Sequence, residues 1–189
     1  MSDDAKPVVL SLHTNPDTKE AVEFFRRLGM CLSSWAFVDR RLYQIFHHAT
    51  GFDQKQSAFI FYRNRAFNTR LRLVDDAAKM FLTGDQYKEE WKPLRDEAND
   101  LSHTRNIFAH HPTLRTGTAK DGQPFDIYSI HIEPYERVLN NDYPGLRGKE
   151  NLEVADLVQH ETEVDKLESR LHDFAWRIGS LRAEAKRGT

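Results

Sequence analysis

Four stretches of the chain repeat apolar residues at the three-, four- and seven-residue steps that line one face of a helix. The first covers about 18–49, where Phe25, Leu28, Leu32, Trp35, Leu42, Ile45 and Ala49 form a stripe. Thr18 stands where a cap is needed and Gly51 where the helix must stop. Asp39 falls inside the stripe, four residues after Trp35 and three before Leu42. A carboxylate taken out of water needs partners. The second pattern covers about 54–82, through Ile60, Phe67, Leu71, Val74, Ala78 and Phe81, with Gly84 closing it. Its arginines, Arg63, Arg65, Arg70 and Arg72, fall into two pairs on roughly opposite sides, so they make no single basic stripe.

The third pattern covers about 86–111 and steps through Tyr87, Trp91, Leu94, Ala98, Leu101 and Phe108. The missing member of that series is position 105, an arginine. Pro112 ends the helix, because the residue before proline disfavours α geometry. The fourth covers about 151–186, where Leu157, Val164, Leu167, Leu171, Phe174, Ile178, Leu181 and Ala185 keep a heptad-like rhythm. That stripe suits either the inside of a bundle or a dimer seam.

Between the last two patterns the period changes. Thr113–Thr118 and Phe125–Ile132 are β-prone, and Asp121-Gly122 between them is a turn signal, which predicts a β-hairpin over about 113–132. Residues 133–150 carry prolines and glycines and read as loop, and residues 1–17 read as an arm broken by Pro7 and Pro16, with Val8–Leu10 able to pair as a short strand. There is no internal repeat. The expected fold is all-α: an antiparallel bundle of four to five long helices over about 18–186, with the hairpin inserted.

At 189 residues the chain fits one domain. Its 27 Lys and Arg against 29 Asp and Glu give a net charge of −2, which excludes an overall basic coat but leaves room for a local basic cleft. A lone cysteine, Cys31, excludes an intramolecular disulfide and a cysteine-based zinc site. No apolar run is long enough to span a bilayer, and the opening Met-Ser-Asp-Asp is unlike a secretory signal. The expectation is a soluble protein of the reducing cytoplasm with no membrane partner.

Candidate chemistry concentrates at the end of the third pattern, in Arg105-Asn106-Ile107-Phe108-Ala109-His110, followed by His111 and Pro112. Asn106 and His110 are i and i+4 and share a face, with Arg105 about 100° round at its edge. A guanidinium there binds a phosphate and stabilises charge building on it; an imidazole transfers a proton near neutral pH; an asparagine orients one of them. A structural reading stands beside this: Arg and His in a last helical turn complement the dipole, and Arg105 and Asp39 are two polar intruders suited to each other. Asp39 is either an orienting carboxylate or a structural partner. His103 lies seven residues before His110, and His111 also meets a looser spacing from Arg105, though Asn106 one turn before it favours His110.

Nine histidines invite a metal reading, but adjacent histidines on a helix diverge by about 100° and no His-Glu-x-x-His is present, so no metal is expected. Phosphate-loop, dinucleotide-binding and serine-hydrolase motifs are absent, and no cofactor is expected. Trp35, Trp91 and Trp176 are expected between helices, and any exposed one is suited to stacking on a base.

Arg105, Asn106 and His110, at the end of the penultimate long helix, resemble the Arg-polar-x-x-x-His signature of the HEPN superfamily. The resemblance implies a helical bundle that dimerises with two copies of the motif across one cleft. It implies metal-independent cleavage of RNA, as in toxin–antitoxin and antiviral defence proteins, with an antitoxin or other regulatory protein as a partner. Other members of that superfamily are non-catalytic modules that bind RNA, nucleotides or proteins. Arg105, Asn106 and His110 would be catalytic, His111, Asp39 and His103 supporting, and Arg63 and Arg70 in contact with RNA. Pro112 departs from the superfamily's nucleotidyltransferase-controlled toxins, which carry a modified tyrosine two positions after the histidine, so that mode of control is not expected here.

Overall fold

A computed structural model describes residues 6–11, 18–119, 126–133 and 151–187. These residues are mostly helical. In chain order they form β1 (Lys6–Ser11), α1 (Lys19–Thr50), α2 (Gln54–Arg63), α3 (Phe67–Phe81), a one-turn α4 (Gly84–Gln86), a π-helical turn (Tyr87–Trp91), α5 (Lys92–His110), β2 (Thr113–Ala119), β3 (Asp126–Ile132) and α6 (Val154–Arg187). Among the described residues no helix is long and apolar enough to cross a membrane. The chain forms two compact units: Met1–Leu32 with Thr104–His160, and Ser33–His103 with Glu161–Thr189.

The first unit holds a three-stranded antiparallel sheet in the order β1-β2-β3. The strand-prone Val8–Leu10 lies in β1, where Val9 pairs with Thr116 and Leu10 with Arg115. β2 pairs with β3 from Thr113↔Ile132 onward, with a register shift at Thr116/Gly117. The Asp121-Gly122 turn signal lies outside the described residues, as does most of the expected loop. Ile132 also exchanges backbone bonds of 2.9 Å in both directions with Leu152. The core of this unit combines Ala21, Phe24 and Cys31 of α1 with Ile107 and Phe108 of α5, Ile130 and Ile132 of β3, and Leu152 and Leu157. Cys31 Sγ donates to the Leu157 carbonyl at 3.0 Å.

In the second unit, the buried face of α1 runs Trp35, Val38, Leu42, Ile45 and Ala49. Val38 holds the core position that spacing gives to Asp39. Asp39 sits one place round the helix, partly buried, where its Oδ1 accepts from Arg70 Nε at 2.8 Å. The long helix expected over 54–82 is broken. Asn64 and Ala66 are extended, and α2 and α3 end and begin there. The break comes after Phe61, which is fully buried in the core, and before Phe67, the next apolar position of the pattern. Arg70 Nη1 bridges the break, donating at 2.9 Å to the carbonyls of both Asn64 and Arg65. Gly84 opens a helix rather than closing one, because Thr83 and Gln86 form a reciprocal capping box in front of it.

Gly51 ends α1 with φ +68°, and a Cβ built there would meet the Arg182 guanidinium, whose Nη2 donates to Thr50 O at 3.2 Å. Gly51→Ala therefore combines left-handed strain with displacement of that arginine. It should lower stability by about 1–2 kcal/mol, read as a lower urea midpoint at unchanged slope.

Candidate functional site

The end of α5 belongs to the first unit and is set by local rules. Ile107 and Phe108 bury themselves in the core, which fixes the rotation of the last turns. The helix closes at His111, whose N–H donates to Ile107 O at 3.0 Å. Pro112 cannot donate and leads into β2, and its carbonyl accepts from Glu133 N–H at 3.2 Å.

With Ile107 and Phe108 turned inward, Asn106 and His110 are exposed and Arg105 is partly buried at the edge of their face. Arg105 Nη1 donates to Asn106 Oδ1 at 3.2 Å. Its Nε is buried with no hydrogen-bond partner. The pair draws two of the three sequence-predicted groups into contact, with the third, His110, one turn on and exposed. His111 differs from its neighbour. It is partly buried, which pushes its pKa down; a backbone contact at Glu133 acts the other way and the charge of His110 adds to the lowering. His103, a heptad before His110 on α5, is partly buried and falls in the second unit.

The other sequence-predicted residues also lie in the second unit. Asp39 and Arg70 are bound to each other, and Arg70 is further held by the two carbonyls of the α2–α3 break and lies over the Phe61 ring at 5.8 Å. Arg70 is thus occupied by structural contacts. Arg63 is exposed, with its guanidinium 5.4 Å from the Phe59 ring centre. Trp35 and Trp91 are buried as expected, but Trp176 is 67% exposed. It borders a half-open groove of about 550 Å³ in the second unit, with Arg41, Gln44, His48 and His172 among its lining. Arg41 is neutralised by Glu168 at 2.6 Å, so its guanidinium is not free to hold an anion. His48 has its pKa lowered, first by burial and then by the charge of His47. Among the described residues, no three His, Cys, Asp or Glu side chains converge as a metal site would require.

Reasoning from the sequence misses His160. It is buried in the first unit, its ring edge-on to Phe108 at 5.1 Å, with both ring nitrogens lacking a hydrogen-bond partner. A signal is present: 157, 160, 164, 167 and 171 is the heptad rhythm of α6, and His160 is its polar member. Burial pushes its pKa down to about 4. The unfolded chain binds the extra proton between about pH 6.5 and that value, so stability should fall as pH drops through this window, by up to about 1.4 kcal/mol per pH unit. His160→Leu should abolish that acid limb in urea titrations of the first unit, and should raise stability at pH 7 because two unpaired polar atoms disappear.

No family model, curated protein or solved structure matches the chain.

Proposed function

We propose that this chain is a metal-independent endoribonuclease of the kind its motif resembles, acting as a homodimer in which two copies of the site share one cleft. The observation that supports the reading is the grouping at the end of α5. There the half-buried guanidinium of Arg105 donates through Nη1 to Asn106, and the exposed imidazole of His110 stands one turn beyond that asparagine. An RNA 2′-hydroxyl is already tethered next to its scissile phosphate, and such proximity supplies much of the rate. What remains is to move a proton and to stabilise charge on the phosphoryl oxygens. In this reading His110 takes the proton from the 2′-hydroxyl or gives one to the departing 5′-oxygen. Arg105, steered by Asn106, holds the phosphate. In a dimer the second His110 fills the complementary role. Such a protein would serve as a toxin or antiviral effector restrained by a partner protein.

The products would be a 2′,3′-cyclic phosphate and a 5′-hydroxyl. Incubation of single-stranded RNA with the protein in excess chelator should give these ends, and DNA of the same sequence should remain intact. Dependence on added metal, or cleavage of DNA, would reject the mechanism. A second reading, a non-catalytic binding module, is favoured by the groove beside Trp176 in the second unit. It predicts binding of a small ligand or nucleotide with no cleavage of any RNA.

A further inference from the structure

Helix α2 exposes large aromatic side chains where a protein surface ordinarily carries few. Phe59 is 65% and Tyr62 50% exposed. They are i and i+3, so they lie on neighbouring parts of one face, and Arg63 lies one turn beyond Phe59 on the same face with its guanidinium against that ring. The Tyr62 ring continues inward onto Tyr43 at 5.3 Å, which braces it from below. Asp39 places negative charge near Tyr62, but Arg70 and Arg40 oppose it there. Arg26, Arg27, Arg41, Arg95, Arg170 and Arg177 all engage carboxylates elsewhere in the chain. Arg40, Arg63 and Arg65 are exposed and have no carboxylate partner among the described residues.

Exposed rings interleaved with unpaired cations fit one class of partner. Bases in a duplex are stacked on each other and cannot reach a ring on a protein, whereas an unpaired strand offers a π face from every base and a phosphate for each guanidinium. A second copy of this surface would bring like charges together across a twofold axis, which disfavours self-pairing. We infer that the surface formed by Phe59, Tyr62 and Arg63 of α2, with Arg40 of α1 near Tyr62, is a docking platform for single-stranded RNA. The inference deepens the endoribonuclease reading and rests on it for the choice of RNA over DNA, since stacking on rings does not itself read the sugar.

The test separates binding from cutting by using the full chain with His110→Ala throughout. Fluorescence anisotropy would measure affinity for a labelled unpaired RNA of about 12 nucleotides, a length within the usual site size. Adding Phe59→Ala and Tyr62→Ala should weaken binding about tenfold or more, whereas Tyr62→Phe should leave it unchanged. Replacing Arg40 and Arg63 by serine should reduce the slope of log affinity against log salt by about 1.4, at about 0.7 per lost phosphate contact. A perfect RNA duplex should bind more weakly and be indifferent to the ring substitutions. Unchanged affinity in the ring variant, or an equal loss for duplex, overturns the platform. So does a changed oligomeric state by light scattering with RNA affinity intact, which would make α2 a protein interface. If the wild-type chain cuts RNA while the ring variant binds it normally, the platform alone fails. If the ring variant loses binding but wild type cuts nothing, only the catalytic reading fails.

Discussion

Replacing His110 with alanine should lower the rate of RNA cleavage by about 10²–10⁴-fold, the usual worth of a positioned proton-transfer group. Arg105→Ala should cost a comparable amount, about 10²–10³-fold, as the loss of a preorganised donor at developing charge. Arg105→Lys should recover little of it, because a lysine ammonium cannot donate to Asn106 Oδ1 and to a phosphate in the same fixed fork. The double variant should be scarcely worse than either single one, since the two groups act on one transition state. His111→Asn provides the control. That ring is partly buried and its pKa is pushed down, so it is a poor proton donor near neutrality, and its loss should change the rate only a few-fold. The measurement is single-turnover cleavage in chelator. A His111 variant that is dead while His110→Ala is active would reverse the assignment.

Asp75→Ala should destabilise the second unit by about 1–3 kcal/mol out of a total of about 5–15. Asp75 is 6% exposed. Its Oδ1 accepts from Tyr87 Oη at 2.7 Å and Trp91 Nε1 at 2.9 Å, and its Oδ2 from Lys79 Nζ at 2.6 Å, with Arg95 Nη1 at 3.4 Å. Tyr87 and Trp91 bound the π-helical turn, in which Lys92 N–H reaches back to Tyr87 O. Both side chains donate to the same carboxylate oxygen. Removing the carboxylate would leave the buried indole N–H without an acceptor and strip a counter-charge from Lys79 and Arg95. Burial alone pushes the Asp75 pKa up, but hydrogen bonds from Lys79, Tyr87 and Trp91 and the charge of Arg95 hold it below the ordinary carboxylate value. Its contribution is therefore complete above the unfolded value and is lost as pH falls through the lower, folded one. Urea titrations should place this loss at lower pH than the His160 limb, and Asp75→Ala should remove it.

Periodicity is enough to find the helices because most of each buried face is apolar, and Pro112 is enough to end α5 because its constraint is local. Register is harder. In α1, Phe25, Leu28 and Leu32 are only partly buried, while Ala21, Phe24, Cys31 and Val38 fill the core. Two apolar residues in a row, as at Phe24-Phe25, give spacing no means to choose between faces. The break at 64–66 is illegible for a different reason. It is held by Arg70, Asp39 and backbone carbonyls, which leave no mark in a hydrophobic pattern. Asp75 and His160 are polar members of apolar stripes, the same signal that singles out Arg105. Applied evenly, that signal marks one half-buried arginine that reaches its neighbouring asparagine, one fully bonded hub and one ring with no hydrogen-bond partner. Only side-chain geometry tells the three apart.

The lone thiol offers a clock. Cys31 is fully buried and its sulfur is turned onto a backbone carbonyl of α6, so alkylating reagents cannot touch it in the closed protein. Each labelling event then marks one opening of the first unit, with no second cysteine to blur the count.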